Sequence, residues 1–130
     1  MAHTPRRGLP HHLGIRITAA DKDRVTGEML VDERHLNALG IVHGGALMAF
    51  ADELGGWGAA LNIPRGARTT TVESKTNFLR AGGPGVLTAE TVPLHVGRRT
   101  SVWQTSIFGA DGKRVAVVTQ TQLVLPPEAP

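Results

Sequence analysis

One stretch carries helical periodicity in a chain that otherwise reads as strand and turn: it opens at His43-Gly44-Gly45 and ends near Asn62-Ile63-Pro64. At about 100° per residue, Leu47, Phe50, Ala51, Leu54, Trp57 and Leu61 fall on one stripe, the i, i+3, i+4, i+7 spacing of a buried face. A single helix of this kind must bury that stripe against a sheet built from the rest of the chain. The opposite face carries Gly45, Ala49, Asp52, Gly56, Ala59 and Ala60, small residues around one carboxylate. A solvated face is rich in Lys, Glu and Arg, whereas glycine and alanine suit close approach by another backbone or a ligand. Asp52 is therefore placed in a crevice, the alternative being an ordinary solvated aspartate. Glu53, turned about 100° from it, reads as a rim or surface charge.

The first N–H groups of a helix lack acceptors, and its N-terminus carries about half a unit of positive charge. Gly44 and Gly45 thus open an end able to hold an anion or a developing oxyanion. Asp52 lies eight residues beyond Gly44, on the order of 12 Å along the axis at ~1.5 Å per residue. A carboxylate does not span that distance. If the two act on one substrate atom they come from different copies of the helix, which implies a two-fold dimer with the helices side by side.

Length and composition narrow the chemistry. A chain of 130 residues is one domain, read as a flexible arm over 1–11, a body over 12–125 and a flexible tail over 126–130. The absence of cysteine excludes disulfides, a thiolate nucleophile and Cys-ligated metal. His11 and His12 have no second pair at ligand spacing and no His-Glu-x-x-His follows, so no metal is expected. No Gly-x-Ser-x-Gly occurs and there are three serines in all, which argues against a serine esterase. No apolar run approaches ~18 residues and the start has no apolar leader core, so a cytoplasmic protein with no membrane association is expected. The net charge is +3, and eleven arginines outnumber three lysines. Arginine's planar fork suits phosphate, although a GC-rich coding sequence gives the same bias. Scattered arginines with three Phe and two Trp speak against nucleic acid.

Strands are read at Leu13–Thr18 and Arg24–Val31 before the helix, and at Thr69–Leu79, Val86–Val96, Arg99–Phe108 and Val115–Leu125 after it. In the third, Glu73, Lys75 and Asn77 alternate to one side. The expected architecture is α+β, one long helix wrapped by a five- to six-stranded, mostly antiparallel sheet. This order resembles the hotdog-fold acyl-CoA thioesterases of the phenylacetic-acid-degradation and 4-hydroxybenzoyl-CoA type, over about residues 12–125. The resemblance is carried by Asn37-x5-His43-Gly44-Gly45-x6-Asp52, by Thr71-Val-Glu-Ser-Lys-Thr-Asn-Phe, and by Gly97-Arg98-Arg99-Thr-Ser-Val.

The resemblance implies that Asp52 acts as nucleophile or as general base on water, and that the Gly44 N–H polarises the thioester carbonyl. It also implies that Asn37 faces the thioester or the attacking water and that Thr71 helps to hold that water. Asn37 also reads as a turn former and Thr71 as a plain strand residue. His43 either donates a hydrogen bond or fixes the loop, the structural role being favoured. Gly45 belongs with Gly44 at the substrate-binding end. Coenzyme A brings phosphates, for which Arg98, Arg99 and then Arg80 are the candidate contacts, each otherwise a surface charge. The reading is a homo-oligomeric acyl-CoA thioesterase, a dimer and by resemblance a tetramer, that cleaves aryl or medium-chain substrates. It takes no cofactor beyond the coenzyme A of its substrate. The alternatives are a non-catalytic acyl-CoA sensor and a hydroxyacyl-thioester dehydratase on the same fold.

Overall fold

The computed structural model describes residues 2–128. Two strands, β1 (Ile15–Ala20) and β2 (Val25–Leu30), form a hairpin, and a single 3-10 turn (Glu33–His35) leads on from it. The long helix α2 (Gly44–Ala60) follows, then β3 (Arg68–Phe78), β4 (Val86–Val96), β5 (Thr100–Phe108) and β6 (Arg114–Leu125). A short helix, α1 (Gly8–Leu13), precedes β1. The six strands form one antiparallel sheet in the order β1-β2-β4-β5-β6-β3, with α2 packed across it.

The helix seats its apolar stripe as the spacing requires, with Phe50, Ala51 and Leu54 fully buried among Ile15, Ile17, Met29, Leu87, Ile107 and Val118. The stripe is shorter than its sequence suggests. Trp57 is half-buried and Leu61 is 39% exposed, while Gly58 and Ala59 between them are buried. The small residues are also divided between two faces. Ala59, expected on the crevice side, is buried. A Cβ on Gly55 would stand 2.1 Å from the Gln120 amide, and one on Gly58 would stand 2.6 Å from the Trp103 ring. These glycines let the sheet approach, while Gly56, whose added Cβ would meet nothing within 4 Å, faces open space.

The register of β3 against β6 breaks at Val72: Thr71 pairs with Gln122 and Glu73 with Thr121, leaving Val72 unpaired. Such a bulge inserts one residue and reverses which side chains face inward. Thr69 and Thr71 therefore share the inner side with Ser74 and Thr76, while Val72, Glu73, Lys75 and Asn77 are exposed.

The arm expected over 1–11 is docked where it is described. His3 exchanges two backbone hydrogen bonds of 2.8 Å with Ile17, Pro5 is buried, and α1 buries Leu13 before Gly14 turns the chain at φ 70°. Pairing at the free edge of β1 supplies the partners that the sequence pattern did not reveal. The tail expected over 126–130 includes 129–130, which, like Met1, lie outside the described residues. Among the described residues no helix is long and apolar enough to cross a membrane.

Candidate active site

Asp52 is exposed on the third turn of α2, and the Thr71 hydroxyl donates to its Oδ1 at 2.7 Å. Both line a cavity of about 620 Å³ with Glu53, Gly56, Trp57 and Gln122. The structure thus brings together two of the expected site residues, sets Glu53, Gly56 and Trp57 beside them, and adds Gln122, which the sequence did not single out. Glu53, read as a rim charge, accepts a hydrogen bond from Trp57 Nε1 at 3.2 Å. Burial pushes its carboxyl above the ordinary value of 4.5, the Trp57 hydrogen bond opposes this, the neighbouring Asp52 adds to it, and His3 opposes it. His3, carried by the docked arm, sets its ring 5.0 Å from that of Trp57.

Behind Thr71 lie two fully buried glutamines of β6. Gln122 Nε2 donates to Thr71 Oγ1 at 2.7 Å and to Gln120 Oε1 at 2.6 Å, and Gln120 Nε2 donates to the Ala51 carbonyl at 3.0 Å. The Thr69 hydroxyl donates to Gln122 Oε1 at 2.9 Å. A signal for these residues exists in the sequence. Ala116 and Val118 face inward on β6, and period two carries Gln120 and Gln122 to the same side.

The other half of the expected site lies at the start of α2. His43 caps the helix, its Nδ1 accepting from the Gly45 N–H at 2.7 Å. That bond caps the helix and commits Gly45's donor, whereas the Gly44 N–H has no acceptor among the described residues. The loop before it is held by His35, which is fully buried and whose carbonyl accepts from the His43 N–H at 2.7 Å. Asn37 is a turn former, its Oδ1 accepting from the Leu39 and Ile41 amides at 2.9 and 3.3 Å. This leaves its Nδ2 donors for a ligand. Asn37, Gly44, Phe78 and Arg80 line a cavity of about 400 Å³. Arg98 and Arg99 line a third cavity, with Pro64, Leu123 and Pro127.

Within one chain the carboxylate and the free amide therefore open into different cavities. Among the described residues no three His, Asp or Glu side chains are grouped so as to hold a metal ion.

The sequence pattern of the thioesterase superfamily matches residues 39–116. A putative esterase of Haemophilus influenzae is 32% identical over 114 residues, which cover 88% of this chain and 83% of that protein. A crystallised variant of a Pseudomonas aeruginosa thioesterase superposes with a TM-score of 0.85 at 34% identity, covering 88% of this chain and 84% of that one. A hypothetical thioesterase of Streptococcus pneumoniae, crystallised with coenzyme A, gives a TM-score of 0.79 at 28% identity, covering 88% of each.

Proposed function

The chain belongs to the thioesterase superfamily and is a thioester hydrolase, and on that premise we propose that it cleaves aryl- or medium-chain acyl-CoA to the free acid and coenzyme A at sites shared between two subunits. One observation carries the reading: Asp52 stands at an open cavity with one carboxylate oxygen held by Thr71 and the other without a partner among the described residues. That second oxygen either attacks the thioester carbon or takes a proton from the water that attacks it. The charge that develops on the carbonyl oxygen is met by the Gly44 N–H, with the Asn37 amide beside it. Breaking the C–S bond then releases the coenzyme A thiolate; on the first route water cleaves the anhydride left on Asp52 to the free acid, and on the second the proton taken by Asp52 passes to the thiolate.

Two features support a shared site. The helix separates Gly44 from Asp52 by more than a side chain can reach, and the two open into different cavities. In addition, β3 lies at the edge of the sheet beyond β6, and the backbone N–H and C=O groups of an unpaired edge are a template for pairing with a second copy. The coenzyme A bound to the Streptococcus pneumoniae relative supports the choice of thioester, with Arg80, Arg98 and Arg99 as phosphate contacts. Pairing of dimers into a tetramer rests on the resemblance alone.

The test is thiol release from a panel of aryl and aliphatic acyl-CoAs by the wild type and Asp52→Ala. Turnover of some substrate that falls ~10² or more in the variant supports the reading. Acyl-CoA binding without thiol release by folded wild type would sink it.

A further inference from the structure

The hydrogen bonds behind Asp52 have one consistent direction. The Ala51 carbonyl only accepts, so Gln120 must turn its amide nitrogen toward it. Gln120 Oε1 then faces Gln122 and also only accepts, which fixes Gln122 with its nitrogen inward. Both hydrogens of that nitrogen are used, one by Gln120 Oε1 and one by Thr71 Oγ1. Thr71 has a single proton left to give, and Asp52 Oδ1 receives it at 2.7 Å. The flipped Gln122 would set two amide oxygens against each other and offer Thr71 an acceptor in place of Asp52. The absence of a side chain at Gly55 makes room for this arrangement, since a Cβ there would overlap the Gln120 amide.

We infer that Gln122 is a positioning residue: by donating to the Thr71 oxygen it turns the Thr71 proton onto Asp52 Oδ1 and leaves Oδ2 as the carboxylate oxygen that meets the substrate. This rests on the hydrolysis reading above. Gln122 is 1% exposed and its hydrogen bonds reach Asp52 only through Thr71, so its effect must vanish when the Thr71 hydroxyl is removed.

Gln122→Met keeps the length and removes the donors. It is expected to lower kcat ~10- to 10²-fold, the size of a misplaced reacting group, with KM within about twofold. Thr71→Val is expected to lose at least as much, and Thr71→Val/Gln122→Met no more than Thr71→Val. Losses that multiply in the double variant, or a Gln122→Met effect confined to KM, overturn the proposal. Because Gln122 is buried and the variant can fail to fold, the intact Gln122 supplies a second readout. The side-chain amide NMR signals of Gln122 are expected to move in Asp52→Ala, which removes the acceptor of the Thr71 proton, and in Thr71→Val, which removes the link itself. Signals indifferent to both changes overturn the relay even if thiol is released. Coupled signals without thiol release leave the relay standing and remove the hydrolysis reading instead.

Discussion

The two ends of the working stretch of α2 are built differently. At Asp52 the chain supplies a carboxylate, a hydroxyl and two buried glutamines that bond to one another in series. At Gly44 it supplies a free amide, an asparagine whose oxygen is already used, and a Phe78 ring 54% exposed. The contrast follows from what each group needs. A carboxylate rotates about its own bonds and must be held, whereas the helix itself aims a backbone N–H. The carboxylate end is thus held by its own chain, whereas the amide end has its Gly44 N–H unspent among the described residues, and under the proposed dimer it is there that a second copy would complete the site.

The largest effect that separates the ends is expected from Asp52→Asn, which keeps the shape and the oxygen that accepts from Thr71 but removes the base: kcat should drop ~10²–10⁴. The melting temperature should change little, since Asp52 is exposed. A variant with near wild-type kcat would move the chemistry away from this end of the helix.

Gly44→Pro addresses the other end. Proline is tolerated at the first helical position and deletes the N–H there, and His43, at φ −63° and ψ 136°, already has the backbone shape preferred before proline. The Phe78 ring must give way, since a Cβ on Gly44 would stand 3.0 Å from it, and its exposure allows that. A loss of ~10²–10³ in kcat is expected for a single oxyanion donor. Mixing the two inactive variants then tests whether the ends belong to one site. If each site takes Gly44 from one subunit and Asp52 from the other, a mixed dimer rebuilds one of its two sites, and refolded equal mixtures should recover roughly a quarter of wild-type activity. No recovery would mean that both groups act within one chain.

The amide end was legible in the sequence because its signals are local: a cap, two glycines and a turn-forming asparagine lie within a few residues of one another. The apolar stripe likewise specified which face of α2 is buried, and strand periodicity placed the six strands close to where they form. The support of Asp52 was less legible. Strict alternation puts Thr71 on the side of Glu73 and Lys75, pointing away from the helix, and the bulge at Val72 that reverses it depends on how β3 meets β6. Gln120 and Gln122 occupy inward positions that pattern alone assigns to the core, and only the position of Thr71 and Ala51 across from them shows why two amides are buried there. Glu53 was read by angle alone as a rim charge, and its carboxyl is shielded by Trp57, which itself leaves the apolar stripe to line the cavity.

Glu53 also supplies the smallest expected effect, and one confined to the carboxylate end. Because burial raises its carboxyl above 4.5, the folded chain holds a proton more tightly than the unfolded one. Stability therefore falls as pH rises from about 4.5 through the folded value, and the full cost remains above it. Glu53→Gln keeps an acceptor for Trp57 Nε1 and removes the charge, so it should melt higher than the wild type at pH 7. Solvent at the cavity mouth screens the effect, which holds the gain under about 1 kcal/mol. Thermal midpoints across a pH series should show the two proteins converging below pH 4.5, where both states of the wild type are protonated. A constant difference at every pH would instead assign the change to packing around Trp57. Equal midpoints throughout would show that the carboxyl gains a compensating partner in the assembled protein, and the cavity beside Asp52 would then be closed by something the single chain does not contain.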